Sequence, residues 1–365
     1  MITSSFFEKL ISEGIDFFCG VPDSLLKEFS ACLSDRVDFG NNIIAANEGN
    51  ALAIATGHYL ATGKPALVYM QNSGLGNIVN PLLSLVDEEV YNIPVLLVIG
   101  WRGEPDIHDE PQHLKQGKLT IPLLETMGIK TEILKNINQI TNAVSYMNTT
   151  KKPFAFIVKK DLFEKYQNKI NIPNSNILTR EKSIQTIIEH LKETDIVVST
   201  TGMISRELYE NRFSHEKDFL TVGAMGHASS IAFGIALEKS KRKVFCFDGD
   251  GAFLMHSGAL AVIASRKPEN FRHIIFNNEA HDSVGGQPTV ANSVNIPSVA
   301  KAFGYKNVWS VNSIEEINSI WSEFYTQNGT NLLEIKVKKG NRKDLGRPKE
   351  KPVQNKESFM CFLKG

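Results

Sequence analysis

The chain has 365 residues, long enough for two domains with separate cores, and its content of 42% apolar and 22% charged residues is that of a globular protein. Its 40 basic residues balance 40 acidic ones, which argues against the basic excess that a broad nucleic-acid surface needs. The four cysteines, Cys19, Cys32, Cys246 and Cys361, lie far apart with no metal-ligand spacing and read as the reduced thiols of a cytoplasmic protein.

Glu8 and Lys9 interrupt the apolar pattern of Met1 to Gly14, so that segment does not read as a signal peptide. No apolar run approaches the ~20 residues of a membrane span. The first half alternates helix and strand patterns. Helices are predicted over Phe6–Ile11, over Pro22–Leu33 with a proline in the first turn, and over Glu48–Leu60. Strands are predicted over Ile15–Cys19, Ile43–Ala46, Ala66–Met70, Pro94–Ile99 and Phe154–Val158. Between Lys165 and Glu181 the pattern stops in a polar, turn-rich stretch that reads as a linker. A second set follows, with strands at Ile196–Ser199, Val244–Phe247, His273–Phe276 and Leu332–Val337. Its helices fall at Ser183–Leu191, Ser205–Glu210, Ala228–Glu238 and Gly258–Ser265. The reading is an α/β protein of two doubly wound parallel-sheet domains, 1–164 and 182–365, joined by a linker over 165–181, with the two halves as candidate copies of one fold. The basic tail from Lys336 to Lys351 reads as solvated surface, with Arg342 and Arg347 as its candidates for an anionic substrate.

Chemistry concentrates where Val244–Phe247 runs into Asp248-Gly249-Asp250-Gly251, and where the later strand ends in Asn277-Asn278. In a parallel sheet these two ends lie side by side. A carboxylate and an amide oxygen there, beside a glycine turn and a helix N-terminus, suit Mg²⁺ and a diphosphate. In the first half, Glu48 stands between a strand and a helix. By itself it is an acid at a helix N-terminus, favoured by the macrodipole. His113 is placed on a loop bounded by glycine and proline, open between a proton relay and a plain loop histidine; His281 follows Asn278 on a loop, Glu279 to Thr289, expected to be mobile.

The Asp250/Asn278 constellation resembles the diphosphate motif of thiamine-diphosphate enzymes. The resemblance implies Mg²⁺ held by Asp250, Asn278 and the Ala280 carbonyl, with Gly249 and Gly251 at the diphosphate. Asn47-Glu48-Gly49-Asn50-Ala51 is similar to the pyrimidine domain of that family, with Glu48 as the acid facing the aminopyrimidine N1′. Val222-Gly223-Ala224-Met225-Gly226 would supply the Gly223 carbonyl to the 4′-amine and Met225 as the prop that bends the cofactor. More closely, Gly20-Val21-Pro22-Asp23-Ser24, Gln71-Asn72-Ser73-Gly74-Leu75-Gly76-Asn77, Asp109-Glu110-Pro111-Gln112-His113 and His281-Asp282-Ser283-Val284-Gly285-Gly286-Gln287 resemble the phosphonopyruvate decarboxylase family. The resemblance covers nearly the whole chain. It implies a pyrimidine-binding domain and a diphosphate-binding domain with no central third domain. The expected enzyme is a Mg²⁺- and thiamine-diphosphate-dependent lyase that decarboxylates 3-phosphonopyruvate to phosphonoacetaldehyde, in phosphonate (2-aminoethylphosphonate) biosynthesis. Glu48, His113 and Ser24 are its expected catalytic residues. For the phosphonate the candidates are Arg102, Lys115 and Arg347, with Ser24, Ser73 and Gln112 as donors. A cytoplasmic homo-oligomer with active sites at subunit interfaces is also implied. The rivals are a sulfopyruvate decarboxylase, an acetolactate-synthase-like carboligase, and a regulator that binds Mg-diphosphate without catalysis.

Overall fold

A computed structural model of the chain describes residues 1–167 and 176–364. The chain divides into two compact units, Met1–Ile172 and Pro173–Gly365. Residues 168–175 of the expected linker lie outside the described residues.

The first unit holds one six-stranded sheet: β1 (Phe18–Gly20), β2 (Asn42–Ile44), β3 (Ala66–Gln71), β4 (Val95–Gly100), β5 (Lys130–Ile133) and β6 (Phe154–Val158). All its pairings are parallel, in the order β2-β1-β3-β4-β6-β5. Alternate residues of the central strands feed opposite faces. Leu67, Tyr69, Leu96 and Val98 pack into one core, and Val68, Met70, Leu97 and Ile99 into the other. Both faces are covered, which is why these strands are continuous apolar runs rather than alternating ones.

The second unit holds β7 (Ile196–Ser199), β8 (Asp218–Leu220), β9 (Val244–Gly249), β10 (Phe271–Asn277), β11 (Asn307–Val311) and β12 (Asn331–Lys336). Again all pairs are parallel, in the order β11-β12-β10-β9-β7-β8. Renumbered from its own first strand and read from the other edge, this is the order of the first unit. The expected duplication of one fold is therefore present at the level of topology.

Several expected elements shift. Pro22 does not open a helix; the chain leaves β1 as a loop and the helix starts at Lys27. The cause is Asp23, whose carboxylate accepts the Leu25 N–H at 3.1 Å and holds a turn there. His113 is not on a loop but in the first turn of the Pro111–Thr126 helix, where Pro111 is the opening residue. Strand pairing at the first sheet starts only at Phe18, not at Ile15. The loop from Glu279 to Thr289, expected to be mobile, is tied across its base: the His281 N–H donates to Gln287 O at 2.8 Å and the Thr289 N–H to Glu279 O at 3.0 Å. The cysteines are free thiols, as expected. Among the described residues no helix is long and apolar enough to cross a membrane.

Candidate active site

In each unit the chemistry collects at the carboxyl ends of neighbouring strands, where open parallel sheets bind ligands. In the first unit four adjacent strands contribute. After β2, Asn47 caps the Glu48–Thr62 helix, its side-chain oxygen accepting the Asn50 N–H at 2.9 Å. Capping fixes the helix start, and with it Glu48, in a pocket where only 5% of the residue is exposed. After β3, the turn Asn72–Gly74 closes over this acid. A Cβ on Gly74 would lie 2.3 Å from Glu48 Oε1, so only glycine fits there. Asn77 donates to Glu48 Oε2 at 2.6 Å. Burial pushes the Glu48 carboxyl above the ordinary range, against the opposing Asn77 bond. A carboxyl of that kind keeps its proton more often, as a group that must protonate a ring nitrogen requires.

Ser24 and Arg102 meet at the same carboxyl edge of this sheet. Arg102 Nη1 donates to Ser24 Oγ at 3.0 Å, while Nε and Nη2 grip Asp109 at 2.8 and 2.5 Å. Among the described residues, three of the five guanidinium N–H bonds are thus used, which leaves two that could meet a ligand. Ser24 accepts from Arg102, so its own O–H is left to donate. Ser73 differs: its hydroxyl donates to Gln71 Oε1 at 2.7 Å, and the Gln71 amide donates to Asp23 Oδ1 at 2.7 Å. Asp23 is fully buried against Gly100, where a Cβ would lie 2.0 Å from Asp23 Oδ2. Burial raises the Asp23 carboxyl above its usual range despite Gln71, Leu25 and Arg102. Burial also pushes Asp109 up, but the Arg102 bond and the Gly103 N–H outweigh it and hold the carboxyl low. His113 is pushed down to about 4 by burial and then by Arg102, so it is neutral near pH 7. Its Nδ1 and the Gln112 Oε1 are buried polar atoms with no hydrogen-bond partner among the described residues. Lys115 stands exposed on the same helix.

The second unit repeats the placement with different residues. β9 and β10 are neighbours, with Asp248 opposite Ile275 and Gly249 opposite Phe276. Asp250, the first residue of the Asp250–Met255 helix, therefore lies beside the end of β10, where Asn278 follows. Asp250 is 2% and Asn278 4% exposed. The paired asparagines shape the turn. Asn277 Oδ1 accepts the Glu279 N–H and Asn278 Oδ1 the Ala280 N–H, each at 3.1 Å. These two Asx bonds hold Glu279 at φ 59°, a left-handed conformation that costs a non-glycine residue about 1–2 kcal/mol. Ala224, between Gly223 and Met225, is held at φ 51°. Left-handed residues thus interrupt both candidate cofactor loops, a departure from ordinary backbone found at ligand sites. Met225 and His281 lean over the Gly251 turn: a Cβ on Gly251 would lie 3.3 Å from Met225 Cε and 3.2 Å from His281 Cε1. Burial pushes His281 down to about 4, against the Asp282 charge.

The donor set fits a hard cation. Asp250, Asn278 and the Ala280 carbonyl offer only oxygen. Burial pushes the Asp250 carboxyl up to about 7, against its Thr289 hydrogen bond and backbone N–H bonds. The nearby Asp282 charge adds to the same upward push. Arg347 lies exposed on the tail of this unit; Arg342 is engaged by Glu181, Glu210 and Asp344.

Comparison with known proteins agrees with this geometry. Residues 2–121 match the thiamine pyrophosphate enzyme N-terminal TPP-binding domain, and residues 200–335 the C-terminal TPP-binding domain. A phosphonopyruvate decarboxylase of Streptomyces viridochromogenes is 31% identical over 96% of this chain and 92% of its own length. One from Streptomyces hygroscopicus is 32% identical over 96% of this chain and 90% of its own. The chain belongs to the phosphonopyruvate decarboxylase family of thiamine-diphosphate enzymes. It is a carboxy-lyase that acts on a 2-oxo acid with thiamine diphosphate. A sulfopyruvate decarboxylase of Methanosarcina acetivorans is 28% identical over 90% of this chain and 89% of its own length.

Sequence reasoning missed the partners that hold these residues: Asn77 on Glu48, Asp23 and Gln71 behind Ser73, Asp109 on Arg102, and Thr289 on Asp250. Asn77, Gln71 and Asp109 do lie inside the motifs that carry the family resemblance.

Proposed function

We propose that the chain decarboxylates 3-phosphonopyruvate to phosphonoacetaldehyde and CO₂, with thiamine diphosphate and Mg²⁺, as a cytoplasmic homo-oligomer in phosphonate biosynthesis. The carbon–carbon bond to the carboxylate breaks, a proton takes its place, and the C–P bond stays intact. The observation that carries the substrate is the Arg102–Ser24 pair. It offers two unused guanidinium N–H bonds and a hydroxyl proton at the sheet edge that also carries Glu48. A phosphonate bears up to about two negative charges near neutral pH, by analogy with a phosphate monoester. A planar cationic fork beside a hydroxyl donor suits it.

When bound, thiamine diphosphate supplies an electron sink for the bond that breaks. The residues of the chain do the rest. Asp250, Asn278 and the Ala280 carbonyl hold Mg²⁺, and the turn Gly249–Gly251 receives the diphosphate. Glu48 holds a proton at the aminopyrimidine N1′. The Gly223 carbonyl accepts from the 4′-amine, and Met225 props the cofactor. Arg102 and Ser24 hold the phosphonate, with Gln112, Ser73, Lys115 and Arg347 as further candidates around it. His113, neutral near pH 7, is suited to accept a proton before it gives one. In this reading the first unit of one chain and the second unit of another hold the two ends of one cofactor.

The test is CO₂ release from phosphonopyruvate, sulfopyruvate and pyruvate, side by side, with product analysis. A preference for phosphonopyruvate with phosphonoacetaldehyde as product is expected. A preference for sulfopyruvate, or a carboligation product, replaces the reading with one of its rivals.

A further inference from the structure

One buried ionic cluster in the second unit lies outside the residues assigned so far. Arg180, at the start of the Arg180–His190 helix, grips Glu207 with Nε and Nη2 at 2.8 and 2.9 Å. Both residues are buried. The remaining arm, Nη1, donates to Asp282 Oδ2 at 3.2 Å. The same Asp282 oxygen accepts the Gly340 N–H at 3.0 Å and the Asn278 Nδ2 at 2.6 Å. Arg180 therefore fixes Asp282, and Asp282 fixes which end of the Asn278 amide is nitrogen.

That choice matters at a cation site. A carboxamide presents an acceptor oxygen at one end and two donor N–H bonds at the other, and a half-turn exchanges them. An N–H group turned toward Mg²⁺ repels it. With Nδ2 committed to Asp282, Oδ1 is the end that can serve as a ligand. The reverse orientation would set Oδ1 against a carboxylate.

We propose that Asp282 and Arg180 are positioning residues for the metal, acting through the Asn278 amide. The inference rests on reading Asp250 and Asn278 as Mg²⁺ ligands. The experiment is calorimetric titration of the full-length chain with thiamine diphosphate at several Mg²⁺ concentrations. Partners of this kind typically govern metal affinity by about 10–100-fold. Asp282→Ala should weaken the Mg²⁺-dependent affinity by roughly that factor. Asp282→Asn, which can still offer an oxygen to Nδ2, should lose much less. The thermal midpoint without metal and cofactor separates a loss of fold from a loss of orientation.

A second pair covers the case in which Asp282→Ala fails to fold. Asn278→Asp sets two carboxylates together, so it should weaken Mg²⁺-dependent binding although it adds negative charge at the metal. Adding Asp282→Asn to it should restore most of that loss. Unchanged affinity in a folded Asp282→Ala overturns the inference. So does tighter binding in Asn278→Asp, or a double variant no better than the single one. If the unaltered chain binds thiamine diphosphate equally with and without Mg²⁺, the metal reading itself fails and the inference falls with it.

Discussion

The two units share one strand order and differ in what they place at equivalent strand ends. At the ends of the third and fourth strands the first unit sets Gln71–Gly74 and Arg102; the second sets Asp250 and Asn278. In the proposed reading, the first serves an anion with a cationic fork and the second a cation with a set of oxygens. After the second strand the first unit starts a helix with Glu48, while the second inserts the loop Thr221–His227 that carries Gly223 and Met225 before its helix at Ala228. The scaffold thus fixes where a ligand can sit, and a few side chains decide its charge.

If the second unit is the cation and diphosphate end, Asp250→Ala should abolish thiamine-diphosphate binding, measured by calorimetry in the presence of Mg²⁺. Unchanged affinity would remove the contrast between the units. If the first unit is the aminopyrimidine end, Glu48→Gln should still bind cofactor yet lose roughly 10²–10⁴-fold in turnover, the usual range for a missing general acid–base group. Wild-type turnover would reduce Glu48 to a helix-start acid.

A smaller effect is expected at the anion fork. Hydrogen bonds to charged groups are worth ~1.5–3 kcal/mol, roughly 10–100-fold. Arg102→Ala should raise KM for phosphonopyruvate by that factor and change kcat less. An equal loss in kcat alone would place Arg102 elsewhere in the reaction.

The mildest contrast lies in pH. Burial raises Asp250 to about 7, above an unfolded value of ~3.9, so folding favours its neutral form. That contribution is complete below pH ~4 and is lost as the pH rises through about 7. Without metal and cofactor, the thermal midpoint should therefore decline between pH ~4 and about 7 and level off above that, and Asp250→Asn should decline less. Mg²⁺ with thiamine diphosphate should flatten the profile. Identical slopes in the two chains would show that Asp250 is already compensated.

Much of this was legible in the sequence. β3, β4, β6, β9 and β10 are buried on both faces, so they announce themselves as apolar runs. Asp250 and Asn278 were readable because each ends such a run. The edge strands β5 (Lys-Thr-Glu-Ile) and β11 (Asn-Val-Trp-Ser-Val) were not, since an edge strand needs no continuous apolar face. Pro22 misled because proline suits a helix start and a loop equally, and the Asp23 turn that decides between them is a tertiary fact. His113 misled similarly: Pro111 looked like a loop boundary and is the first residue of a helix. The partners of the site residues are polar side chains brought from distant segments, as Arg180 is to Asp282, and no periodicity marks them.

In the proposed reading, one cofactor is held by the first unit of one chain and the second unit of another. Glu48→Gln and Asp250→Ala chains, each inactive alone, should be mixed under conditions of proven subunit exchange and assayed for CO₂ release from phosphonopyruvate. A hybrid pair would carry one doubly defective site and one intact site, so activity should reappear. No recovery, with exchange demonstrated, would contradict the claim and assign both ends of the cofactor to a single chain.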